Sequence, residues 1–68
     1  MVSVINYKSD NGMTAVIKSS HYSAMLYVED KDGNIIINNN PYSGIISAKN
    51  ALRKLGGNWY IMGCDRIW

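Results

Sequence analysis

The sequence predicts an α+β fold: an antiparallel sheet of four to five strands with one helix packed on one face, in the order β-β-β-(β)-α-β. Two turn signals, Asp10-Asn11-Gly12 and Asp30-Lys31-Asp32-Gly33-Asn34, punctuate apolar and β-branched segments in the first half. The second half holds a single stretch of helical periodicity, closed by Gly56-Gly57 and followed by one more aromatic-rich segment. Tight turns join neighbouring strands antiparallel, and a lone amphipathic helix must lay its apolar stripe on the sheet that they form.

Val2–Lys8 reads as the first strand. Asp10-Asn11-Gly12 then fits a type I′ hairpin, since Asn-Gly tolerates positive φ, and leads into Met13–Ser19. Ser19-Ser20-His21 reads as a second turn or as a bulge within one long bent strand. Tyr22–Glu29 is the next strand, and Gly33 offers a positive φ in the turn before a short strand, Ile35–Asn38. Asn38-Asn39-Asn40-Pro41 reads as a loop, because Pro donates no ladder hydrogen bond.

Ser43 is the expected helix N-cap, with Ser47 as an alternative that leaves barely two turns. Ile45, Ala48, Leu52 and Leu55 recur on one face, and Lys49, Arg53 and Lys54 lie elsewhere on the cylinder, near the end where cations suit the helix dipole. One glycine of Gly56-Gly57 takes the left-handed position after the helix. Asn58–Met62 is the last predicted strand, with the path of Gly63–Trp68 left open by the sequence.

A chain of 68 residues makes one domain, 1–68. Domains this small bury only about 60% of their unfolded surface, and their cores rarely supply more than ~3–5 kcal/mol, so most carry a staple. The one cysteine, Cys64, excludes an intrachain disulfide and argues for a reducing compartment. With one histidine, His21, it cannot close a four-ligand zinc site. Self-association is the remaining staple. Met1–Lys8 lacks the pattern of a signal peptide and no apolar run approaches the ~20 residues of a membrane span, so a cytoplasmic chain with no membrane partner is expected. The net charge of +2 comes from bases and acids mixed along the chain. Heavy use of Ile and Asn, whose codons like those of Lys are AT-rich, points to an AT-rich genome, such as a low-GC bacterium or its phage.

A sheet covered on one side by a helix should be polar on the other. Here both alternation sets are apolar. With Ala24, Leu26 and Val28 facing the helix, Met25 and Tyr27 face away; likewise Ile36, Ile5 and Tyr7 are placed outward. Ile5, Tyr7, Met25, Tyr27 and Ile36 are therefore the candidate interface for a second copy or another protein.

Catalytic chemistry finds little support, and neither catalytic residue nor cofactor is expected. The Asp30 turn fails the calcium-loop pattern, with Ile35 and Pro41 where Gly and Glu are needed. Cys64 beside Arg66 lacks a neighbouring base, His21 sits in a different turn, and the carboxylates fall mostly in turns. The alternative to protein binding is nucleic-acid binding, with Tyr7, Tyr27 and Trp59 stacking on bases and Lys8, Lys18, Lys31, Arg53 and Lys54 meeting phosphates.

Over Leu26–Leu55 the chain carries Asp32-Gly33-Asn34-Ile35-Ile36, then Tyr42-Ser43, then Ala48 and Ala51-Leu52. This segment resembles the small YegP-like bacterial domains of unknown function. The resemblance covers less than half the chain and has no counterpart for Asn58–Trp68. It implies a sheet packed on a helix with pairing between repeats or subunits, and it brings no catalytic residue. The expected function is that of a small non-enzymatic interaction module, homodimeric, acting as a phage or bacterial regulator or inhibitor of a host protein.

Overall fold

The computed structural model describes the backbone of residues 2–21 and 23–67 and the side chains of residues 3–21 and 23–62. Its elements are β1 (Val2–Ser9), β2 (Thr14–Ser19), β3 (Ala24–Glu29), β4 (Ile35–Tyr42), α1 (Ile45–Lys54) and β5 (Trp59–Ile67). The five strands form one antiparallel sheet in the order β4-β3-β2-β1-β5. The first four strands meander to one edge. Helix α1 then crosses one face and delivers β5 to the other edge, beside β1. The α+β fold expected from the sequence is the one observed.

The two Gly turns share one construction. In the first, Gly12 N–H donates to Ser9 O (3.1 Å) and Ser9 N–H to Met13 O (2.9 Å); in the second, Gly33 N–H donates to Asp30 O (3.1 Å) and Asp30 N–H to Asn34 O (2.9 Å). Each is a three-residue loop whose glycine takes the left-handed bulge position, with φ +87 at Gly12 and +86 at Gly33. The type I′ turn expected at Asn11-Gly12 does not form. It requires positive φ at both residues, whereas Asn39 alone among the described non-glycine residues has it. The Ser9 hydroxyl accepts the Asn11 N–H at 2.9 Å and so favours the longer loop. Ser19-Ser20-His21 belongs to a turn rather than a bulge, since Ser19 pairs with Ala24 and Ser20 N–H donates to Ser23 O at 2.8 Å. The expected strand start at Tyr22 lies outside the described residues.

The Asn38–Pro41 loop is corrected to strand. β4 runs on to Tyr42, with Pro41 opposite Met25. An edge strand tolerates a proline because one of its sides has no ladder to complete. The extra residues appear as register shifts on either side of Val28, and Asn39 absorbs the bend with φ 52. The helix N-cap is Gly44 rather than Ser43, without a side-chain cap. Because β4 extends to Tyr42, the first helical bond is Ala48 N–H to Gly44 O, and the Ser43 hydroxyl lies instead 3.3 Å from that of Ser47. At the other end Leu55 caps α1 and Gly56 takes φ +86, as the paired glycines predict.

The core lies between α1 and the sheet. Ala48 and Leu52 of the helix meet Tyr7, Ala15, Ile17, Ala24, Leu26 and Val28, and Ile5, Ile37, Ile45, Leu55 and Trp59 close its margin. Ile17, Leu26 and Val28 are its largest fully buried side chains. No described helix is long and apolar enough to cross a membrane.

Candidate interaction surface on the open face

The ladder fixes which residues share the uncovered side, because directly paired residues lie on one face. Val4, Lys18 and Met25 form one row, Asn6, Val16 and Tyr27 the next, and Lys8, Thr14 and Glu29 a third. Tyr60 of β5 extends the third row, opposite Lys8. The face thus has an apolar centre of Val16, Tyr27 and Met25 flanked by Lys8, Thr14, Lys18 and Glu29, with Val4 and Tyr60 toward its β1–β5 edge. Val16 and Tyr27 are half-buried against each other's strands, and Met25 is 42% exposed.

Val16 stands between two shallow hollows. One, of about 260 Å³, is lined by Val16, Lys18, Met25, Tyr27 and Asn39. The other, of about 430 Å³, runs past Asn6, Thr14 and Val16 to Met62. The Tyr27 hydroxyl donates to a Glu29 carboxylate oxygen at 2.5 Å. That bond to an anion holds the phenol above its ordinary value of 10.0. It also fixes the tyrosine ring across the face.

The structure splits the predicted interface. Met25 and Tyr27 are on the open face. Ile5 and Tyr7 are not: they pair with Ile17 and Ala15, two core residues, and Tyr7 is 6% exposed beneath the helix. A shift of one residue in alternation moves a whole strand's side chains to the opposite face. Asn6 and Lys8 carry the signal for the correct phase, because polar residues belong outward. Ile36 is 44% exposed, but it falls at a register shift, and Ile35 holds the position opposite Glu29. Val16 and Thr14 were missed as open-face residues for lack of any charge or ring to draw notice.

The candidate nucleic-acid residues are not brought together. Lys8 and Lys18 lie on the open face, Lys31 in the β3–β4 turn, and Arg53 and Lys54 on the helix at the opposite side. Of the three stacking aromatics, Tyr7 is buried, and the Trp59 indole N–H donates to Leu52 O at 3.1 Å on the helix side. Only Tyr27 remains on the sheet surface. Among the described residues no three His, Cys, Asp or Glu side chains are placed to hold a metal ion. The Cys64 side chain lies outside the described ones.

No protein-family model matches the chain, and no curated protein and no solved structure matches it either.

Proposed function

We propose that this chain is a small non-enzymatic interaction module that pairs with a second copy of itself through the open face of its sheet. The observation that carries the reading is the apolar centre of Val16, Tyr27 and Met25 flanked by Lys8, Thr14, Lys18 and Glu29. Apolar centres with polar rims are the usual anatomy of protein interfaces, and aromatic and Met side chains are enriched there.

Charge placement favours a copy of the same chain. The row Lys8–Thr14–Glu29 carries a cation at one end and an anion at the other. A two-fold axis running along the strands turns the partner's row end for end, so that Lys8 meets Glu29 in both directions. The size of the chain supports the same reading, since a 68-residue core gains from burying a further apolar surface. The resemblance over Leu26–Leu55 to YegP-like domains agrees with pairing between copies. Composition extends the proposal to a regulator or inhibitor of a host protein, encoded by a phage or a low-GC bacterium and working in the cytoplasm.

Light scattering on a size-exclusion column tests the pairing. The protein is expected to elute with about twice its 7.6 kDa chain mass. Tyr27→Lys and Met25→Lys should each return the monomer mass with an unchanged far-UV spectrum. A monomer throughout the high micromolar range, or folded variants that still dimerise, would defeat the proposal.

A further inference from the structure

On the other side of the sheet, α1 and β5 leave a third hollow, of about 180 Å³. Tyr7, Leu52, Trp59 and Ile61 make its apolar lining, and Lys49 and Arg53 stand at it as the only charged groups among the described residues. The two cations are four residues apart, hence neighbours on the helix surface. Ile46, three residues before Lys49, continues the same flank and is 73% exposed, while Ile61 is 64% exposed. The indole of Trp59 is fixed by its bond to Leu52 O, so the lining is preformed.

This corner holds positive charge that no described side chain neutralises. Helix α1 contains Lys49, Arg53 and Lys54 and no acid. Neither the Lys49 nor the Arg53 side chain forms an ion pair or hydrogen bond with another described residue. The turn carboxylate that reaches the α1–β5 connection, Asp10, is engaged by the backbone and side-chain N–H groups of Asn58.

We propose that the corner between α1 and β5 docks an acidic, apolar peptide segment of a partner protein, one apolar side chain entering the hollow and flanking carboxylates meeting Lys49 and Arg53. The hollow is smaller than the ~300–1,000 Å³ of sites for drug-sized ligands, and suits a single side chain. Carboxylates beside that side chain supply the charge that the corner lacks, in a form Arg binds with two parallel hydrogen bonds. A nucleic acid would satisfy the cations but leave Ile46 and Ile61 uncovered. Its backbone would also find no continuous basic track, because Lys8 and Lys18 face the other way. This inference does not depend on the open-face reading, since the two surfaces lie on opposite sides of the sheet.

The test is an NMR titration of the ¹⁵N-labelled full chain with two capped peptides. Each has a central Leu-Phe pair, flanked by glutamates in one and by lysines in the other. The Trp59 indole and Lys49 amide resonances should shift saturably with the glutamate peptide and not with the lysine peptide. The double charge reversal Lys49→Glu, Arg53→Glu, at exposed positions, should weaken binding by about tenfold. Absence of shifts, equal shifts from both peptides, or shifts confined to Val16 and Tyr27 would overturn the proposal. So would movement of the same resonances by a thymidine oligonucleotide but not by the glutamate peptide.

Discussion

Gly56→Ala and Gly57→Ala together measure how firmly the β1–β2 turn is tied to the start of β5. Both glycines have positive φ, +86 and +78, so either alanine is strained. At Gly56 nothing lies within 4 Å of the added Cβ. Its cost is the left-handed backbone alone, ~1–2 kcal/mol, offset in part by the lower entropy of the unfolded chain, for a net of about 1 kcal/mol. At Gly57 the same Cβ meets Asn11 Nδ2 at 2.7 Å and Asp10 Oδ1 at 2.9 Å. Asp10 must then give up its place, and with it the bonds from Asn58 N–H and Nδ2, both 3.2 Å. Net hydrogen-bond values of ~0.5–1.5 kcal/mol for each of the two bring the expected cost of Gly57→Ala to about 2–4 kcal/mol. A domain of this length has roughly 3–10 kcal/mol in all. Urea unfolding reads both costs as midpoint shifts, about 1 M for Gly56→Ala and about 2 M or more for Gly57→Ala at an m-value near 1 kcal/mol/M. In an Asp10→Ala, Asn11→Ala background, which removes both close contacts, the two should converge to within about 0.5 kcal/mol. Equal costs in the wild-type background would refute the reasoning, because the close approach at Gly57 would then contribute nothing.

The remaining expectations concern the core and one turn. Leu26→Ala removes a fully buried side chain from β3 and should cost ~2–5 kcal/mol in urea unfolding. Tyr27→Lys, next in the strand but on the open face, should change the stability of the monomer little, and a large loss would show that its ring belongs to the core. The Asp30 carboxyl accepts the backbone N–H of Asn34, the Asn34 side-chain amide and the N–H of Asp32, which hold it below its ordinary value of 3.8. A lowered value in the folded state stabilises above 3.8 and loses that contribution as pH falls through the lowered value. The stability difference between wild type and Asp30→Ala should therefore shrink on acidification below pH 3.8, and a difference independent of pH would contradict the turn geometry.

Much of the architecture was legible because local chemistry and global fold agree. Gly12 and Gly33 mark both outer hairpins, and Ala48, Leu52 and Leu55 give the helix its buried stripe. Gly56 ends that helix as a left-handed glycine should. What the sequence obscured is where tertiary context overrules a local signal. Pro41 reads as a breaker, yet at an edge strand it costs no ladder bond. Ser43 reads as a cap, yet the longer β4 shifts the helix start to Gly44. On β1, Val4 and Ile5 are adjacent and both apolar, so alternation alone offers two phases. Register with Ile17 and Ala15 decides between them and sends Ile5 and Tyr7 to the core. The open face therefore rests on Val16, Met25 and Tyr27, and of these only the last two drew notice from sequence.

The proposed contacts between copies at the open face are tested most directly by an isotope-filtered NOE experiment on a mixture of labelled and unlabelled chains. Cross-peaks are expected from the Met25 methyl group and the Tyr27 ring of one copy to Val16, Met25 or Tyr27 of the other. A spectrum of a dimer whose intermolecular cross-peaks arise only from Ile46, Ile61 or other residues on the helix side would contradict the account, as would the absence of any between chains at millimolar concentration.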